Sequence, residues 1–448
     1  MKKANTYLLD AADLSFPNLI DEMILKMKNE GILELLENVF PDKRSKNKNI
    51  PFHLILALTI TAKMKIKTSL TDVPFAITNA ETLSEIGWNI WDNERGLNEG
   101  LMSEGTIRNF VKKYTVDELI TAYNAYIQDE VFVKKGIVPD IHVLDCTKLE
   151  VELSNSNYEG SEVIKDDGEY KRGYKLSSLR GITGDTGILE EIRFGNIKQH
   201  DLKLSKKMVL ESKMLKPGDI LINDRGFISR EFMNQLKRER EIDSYIPLKS
   251  NMEAFEQAVS IANAENNWKA HPNKKRKNQK IAFVGSLGSY WRSAEPENDV
   301  AIIGCVVYDT KTDEYHVFVT TDTTKTARQI IMTYELRPEI EEDYRQIKDF
   351  WKIEDFKSTK QNFIAFYIVM VLIGYLFFQL YKGMEEGEKY AGKSLPVAIK
   401  KYVEEGSKSV IIYSGQYFGI FGFLEFIQLY SSCGTEVKQC LDPILAKV

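Results

Sequence analysis

Cysteine is scarce in this chain of 448 residues. The four present, Cys146, Cys305, Cys433 and Cys440, form neither a CxxC pair nor a Cys/His spacing. That scatter argues against a zinc site and against a disulfide framework, and it fits a reducing, cytoplasmic compartment. An excess of positive charge is also missing. With a formal net charge of −5, any contact with nucleic acid has to come from local basic patches. The opening stretch, MKKANTYLLDAADLSF, has basic residues but no continuous apolar core, so it does not read as a signal peptide. Long uncharged runs are represented by FIAFYIVMVLIGYLFF, Phe363 to Phe378. This run is short for a bilayer span and follows a charged helix, so a buried core helix is expected and a membrane helix is the competing reading.

What is there has the composition of an ordinary globular protein, with length for two or three domains. Residues 1–130 read as short helices. Pro51 to Lys65 is mostly apolar, Ser69 or Thr71 can cap the next helix, and Trp88 and Trp91 read as core or docking residues. Ser103 to Lys113 starts with a capping serine and ends in cations, as the second helix of a helix-turn-helix does. The region is therefore either a DNA-binding module or a helical packing module with a solvated face.

After Gly136 the pattern changes to strands. Ile137 to Leu144 is a β run ending at Asp145-Cys146-Thr147. A carboxylate there either caps a turn or binds a metal. Gly173 to Leu176 and Gly187 to Phe194 read as antiparallel strands, and Asp201 as the cap of a helix over Leu202 to Leu215. A second short strand, Asp219 to Asn223, ends at Asp224-Arg225-Gly226-Phe227 and repeats the first arrangement: an apolar run, a carboxylate, then glycine. A helix over Ser229 to Arg238 and a strand over Tyr245 to Leu248 follow. Residues 251–323 differ in character. A basic run, His271 to Lys277, precedes strand-like segments, so it is either a solvated loop or the cationic loop of a β-rich insertion. Residues 383–448 read as helical, including the apolar stretch Val410 to Tyr430, with Pro396 inside the first part.

The stretch YELRPEIEEDYRQIK, Tyr334 to Lys348, carries the sharpest signal. Wound as a helix at about 100° per residue, it puts Arg337, Glu341, Arg345 and Lys348 in a sector of roughly 80°. Leu336, Ile340, Tyr344, Ile347 and Trp351 form an adjacent apolar stripe. Taken alone, this is either an exposed amphipathic helix with i,i+4 ion pairs or a carboxylate flanked by phosphate-binding cations.

Strand–Asp145, strands, helix, strand–Asp224, a β-rich insertion, then a helix with Glu341 is an order that resembles an RNase H-like catalytic core. Tyr334-x2-Arg337-x3-Glu341-x6-Lys348 resembles the YREK signature of bacterial insertion-sequence DDE transposases of the IS-four-like group. Pro338 lies inside that signature, so the helix can begin there and leave Tyr334 and Arg337 on the approach to it. The resemblance implies an α/β fold: an RNase H-like core of mixed sheet and helices from 137–250 and 324–382, a β-rich insertion at 251–323, an all-helical N-terminal domain at 1–130 that binds DNA, and a helical region at 383–448. It implies that Asp145, Asp224 and Glu341 hold two Mg²⁺ or Mn²⁺ ions and cleave double-stranded DNA at terminal inverted repeats before joining it to target DNA. Tyr334, Arg337, Arg345 and Lys348 would contact DNA, and a homodimer would form in the complex. Trp291 is either a core tryptophan or an aromatic that stacks on a flipped base. A domesticated relative that binds DNA without strand transfer is the alternative reading.

Overall fold

In the computed structural model of the chain, which describes residues 11–15, 18–44, 50–67, 69–88, 102–183, 186–403, 409–414 and 417–446, the apolar run after Gly136 becomes β1 (Ile141–Val151). Gly136 ends the preceding helix at φ 65°, in the left-handed region that suits glycine. Trp91 lies outside the described residues. The chain divides into two compact units, one of residues 127–156 and 160–345, the other of residues 1–126, 157–159 and 346–448.

In the first unit, β1 is followed by β2 (Glu162–Asp166), β3 (Glu169–Thr183) and β4 (Thr186–Asn196). Helix α1 (Asp201–Glu211) leads to β5 (Ile220–Asn223), and α2 (Arg230–Arg240) leads to β6 (Asp243–Pro247). Strands β4, β3 and β1 pair antiparallel, whereas β1, β5 and β6 pair parallel. The β4-β3-β1-β5-β6 order, with helices carrying the parallel crossovers, is the α/β arrangement of an RNase H-like core. Leu144, Leu179, Leu221, Phe232, Leu236 and Ile246 belong to its hydrophobic core.

The insertion does not stand apart from this sheet. After α3 (Glu253–Glu265) come β7 (Lys269–Ala270), β8 (Gln279–Val284), β9 (Ile303–Asp309) and β10 (Glu314–Thr320). Strand β10 pairs antiparallel with β6, and β9, β8 and β7 continue outward to complete a ten-stranded sheet. The open edge that β6 would otherwise present is thereby covered.

Two local expectations are corrected. Strand β1 does not end at Asp145 but runs on to Val151, because β3 keeps pairing with it after β5 has stopped. His200, not Asp201, caps α1: its side chain accepts from Leu202 N at 3.3 Å, while Asp201 takes an ion pair with Lys175 at 2.6 Å.

The second unit is mostly helical. Ser103 caps Glu104–Val111, as its sequence suggests, and Ser69 caps a short 3₁₀ turn. The helix Gln361–Lys382 is long and apolar enough to cross a membrane, yet 94% of its most apolar window is buried inside the protein. Phe366, Met370, Ile373 and Phe377 are all buried, as expected. The helix packs among Phe52–Met64, Val116–Ala125 and Leu19–Asn29 of its own unit. A Cβ on Gly374 would stand 2.9 Å from both Met64 and the Trp351 ring, so glycine permits that approach. In the division into units, the chain from Gln346 onward, this helix included, groups with the N-terminal helices.

The 383–448 region is not all helix. Ser409–Ser414 and Tyr417–Gly422 form a hairpin whose outer edge takes up Ala11–Ser15, an exception to the all-helical N-terminus. The β-branched and aromatic residues that suggested an apolar helix there favour strands equally well. Helices Phe423–Ser432 and Thr435–Leu445 close the chain, and Pro396 sits at the second position of Leu395–Val403, where its missing N–H is harmless.

Candidate active site

The parallel register brings two carboxylates together. Leu144 of β1 lies opposite Asn223, the last residue of β5, so Asp145 and Asp224 follow side by side. The third arrives from a broken helix. Tyr334 ends α4 (Ala327–Tyr334), a turn spans residues 335–337, and Pro338 opens α5 (Pro338–Asp349). Proline fits a first helical position because the N–H it lacks would have no intrahelical partner. The helix thus begins at Pro338, as the proline inside the signature suggests, with Arg337 on the turn before it and Tyr334 at the end of the preceding helix.

Arg337 gathers the carboxylates. Its Nη1 donates to Glu341 Oε1 at 2.7 Å and its Nη2 to Asp145 Oδ2 at 3.2 Å, with Asp224 Oδ2 3.6 Å from the same Nη2. Asp145 is nearly out of water, whereas Glu341 is half exposed. Burial pushes the Asp145 carboxyl up to about 6. Arg337 and the Cys146 N–H oppose that rise, while the charges of Asp224 and Glu341 add to it. Burial also raises the Tyr334 phenol, with Arg337 opposing and the three carboxylates contributing. Its ring packs on Phe318 of β10 with centroids 4.6 Å apart.

Two residues fix α5 against the sheet: Arg180, which sequence reading did not single out, and Tyr344, read there only as part of the apolar stripe. Arg180, buried on β3, pairs with Asp343 at 2.6 Å and Glu339 at 2.9 Å. Tyr344 donates from its hydroxyl to the Asp145 carbonyl at 3.0 Å. No signal set Arg180 apart in a strand that also carries Lys171, Arg172 and Lys175.

The remaining candidates have other surroundings. Arg345 donates to both oxygens of Glu342, at 2.7 and 2.6 Å. Lys348 pairs with Glu354 at 3.3 Å and falls in the helical unit. Trp291 is half-buried against the core, with the Arg230 guanidinium 5.7 Å from its ring centre. It lines a cavity of about 390 Å³ together with Arg230, Lys249 and Arg292. Trp291 thus packs on the core at the border of a hollow that Glu231 also lines.

The donor set fits a divalent cation in its chemistry. All three groups offer carboxylate oxygen, which suits Mg²⁺ or Mn²⁺, and one guanidinium balances only one of three negative charges. Among the described residues, no three acidic, imidazole or thiol groups already form a closed metal-holding cluster. The carboxylates are instead arranged around Arg337.

A mixed sheet of this order, with carboxylates gathered where a parallel neighbour stops and a helix delivering the last, defines the class of RNase H-like enzymes that cut and join nucleic acid. The family model described as "Transposase DDE domain" matches residues 138–377, more than half of the chain, and the chain belongs to that family. Membership makes it a transposase in general terms, implies DNA binding, and places it in a family that generally uses divalent metal ions. No curated protein matches the chain.

Proposed function

We propose that the protein cleaves DNA at the terminal inverted repeats of an insertion sequence and transfers the freed strand ends into target DNA, with Asp145, Asp224 and Glu341 as catalytic residues. The observation that carries this reading is the meeting of those three carboxylates, from β1, the end of β5 and α5, on one guanidinium. The same three would hold two Mg²⁺ or Mn²⁺ ions, which supply Lewis-acid activation of water or a 3′-hydroxyl and stabilisation of the leaving oxygen. Arg337, set among the carboxylates, is placed to take a phosphate oxygen of the scissile strand, and Tyr334 to donate to a neighbouring one. Lys348 and Arg345 exchange their present carboxylate partners for DNA phosphates. Trp291, above the Arg230–Lys249–Arg292 hollow, stacks on a base. On this reading Tyr334, Arg337, Glu341 and Lys348 are the YREK set of the IS-four-like group, and the protein acts as a homodimer on DNA in the cytoplasm.

The test uses the full chain and a duplex carrying the inverted repeat that flanks its gene. The wild type should nick the repeat end in Mg²⁺, while Asp145→Asn, Asp224→Asn and Glu341→Gln each bind the duplex and leave it uncut. A wild type that binds but never nicks would favour a protein that keeps the fold without strand transfer.

A further inference from the structure

The helical unit contains a cavity of about 240 Å³ whose charge has one sign. Lys63, Arg108, Lys112, Lys357 and Lys360 line it, and among its described lining residues there is no carboxylate. The floor is aromatic, made by Phe356, Phe363, Phe366 and Tyr367.

Lys63 is the deepest of these cations, 2% exposed on the helix Phe52–Met64. Its Nζ donates to the Lys67 carbonyl at 3.1 Å and stands 4.6 Å from the centre of the Tyr367 ring. Burial lowers its pKa to about 8, with Asp72 and Asp355 acting in the opposite direction. A lysine held charged so far from water is stabilised by an anion brought beside it. The rim cations are loosely committed: Arg108 pairs with Glu104 at 3.1 Å, Lys357 with Asp355 at 2.5 Å and Lys360 with Glu159 at 2.5 Å. Exposed pairs of this kind contribute little and exchange readily for another anion.

Cations around an aromatic floor suit a nucleotide: lysine and arginine take the phosphate oxygens, while sugar and base lie on the rings. We propose that this cavity is a nucleotide site, with Lys63, Arg108, Lys112, Lys357 and Lys360 holding the phosphate of one unpaired nucleotide and Phe363 and Tyr367 supporting its base. The inference rests on the DNA-binding reading above for the source of that nucleotide, a strand of bound DNA; a free nucleotide shares the same chemistry.

The full-length protein is titrated with labelled oligothymidylate at several salt concentrations, and separately with thymidine 5′-monophosphate as a competitor. Lys112→Ala/Lys357→Ala, on the exposed rim, should weaken oligothymidylate binding at least tenfold and flatten its salt slope by about 0.7 per lost contact. Phe363→Ala should weaken binding and leave the slope unchanged. Lys63→Met is added only if its melting temperature matches the wild type. A folded rim variant with wild-type affinity and slope overturns the site. If the wild type binds no duplex or oligothymidylate, the transposase reading fails, and the cavity is then judged by the monophosphate alone. Saturable binding lost in the rim variant upholds a site for free nucleotide, and no binding overturns it.

Discussion

Asp145 is a carboxylate almost out of water, with two more beside it and a single guanidinium among the three. Its charge is therefore unfavourable to the empty fold. Asp145→Asn, which keeps the shape and removes the charge, should abolish cleavage while leaving the melting temperature equal or higher. A fall of several degrees would mark Asp145 as a structural cap instead. Arg337→Ala leaves the carboxylates without their cation, so melting in metal-free buffer should drop and Mn²⁺ should restore it; an unchanged melt with no Mn²⁺ effect would remove Arg337 from the site. A third prediction concerns His142, buried on β1 with Nδ1 2.5 Å from Glu190 and Nε2 3.2 Å from Asp219. Burial works against its charge, but the two carboxylates outweigh it and raise its pKa to about 9. Because the folded value lies above the free value of about 6.5, the stabilisation is complete below that pH and is lost as pH rises through about 9. Urea unfolding should show stability falling on the order of 1–3 kcal/mol over that interval, and His142→Gln should flatten the profile. Asp145, Asp224 and Glu341 were legible as candidates because each follows an apolar run or sits in a spaced motif. Arg180 was not, since its partners Asp343 and Glu339 are remote in the chain and one of several cations in a strand does not announce them.

At the level of elements, helix α5 is positioned by a buried ion pair as well as by its apolar stripe. Arg180→Met would take the cation away from Asp343, 6% exposed, at a cost of about 3–5 kcal/mol. Arg180→Met/Asp343→Leu should recover most of that loss, because two apolar side chains leave no orphaned charge. A single variant as stable as the wild type in chemical denaturation would show that the pair does not hold the helix. The core strands and the α2 helix were readable from alternation, period and caps. Less readable was where a strand stops: β1 outlasts its parallel neighbour because β3 pairs along all of it, and pairing partners are not written in a single strand. The stretch Val410 to Tyr430 was read as helix because its apolar composition lacks a decisive period. The hairpin Ser409–Ser414 and Tyr417–Gly422, with a strand from the distant N-terminus, resolves the first part of it otherwise.

At the scale of the whole chain, the helix Gln361–Lys382 packs among helices that come far earlier in sequence, Leu19–Asn29, Phe52–Met64 and Val116–Ala125. Met370 is fully buried there, and an unpaired charge at that depth costs several kcal/mol, comparable to the stability of a domain. Met370→Lys should therefore yield protein without a cooperative melt, checked by circular dichroism. A folded, active variant, or a wild type that fractionates with membranes, would revive the bilayer reading. The sequence marked this helix as buried but not its neighbours, since an element apolar all round carries no mark of which it meets.

The order in which the site is assembled has a consequence for partial gene products. Asp145 and Asp224 are translated well before the turn that carries Arg337, and Glu341 arrives only with α5. A polypeptide cut short by a frameshift or stop codon in the insertion strands would carry two of the three carboxylates and neither the arginine nor the helix that completes them. On the proposed reading such a remnant cannot cut DNA, so a stop codon anywhere before α5 is expected to abolish mobility.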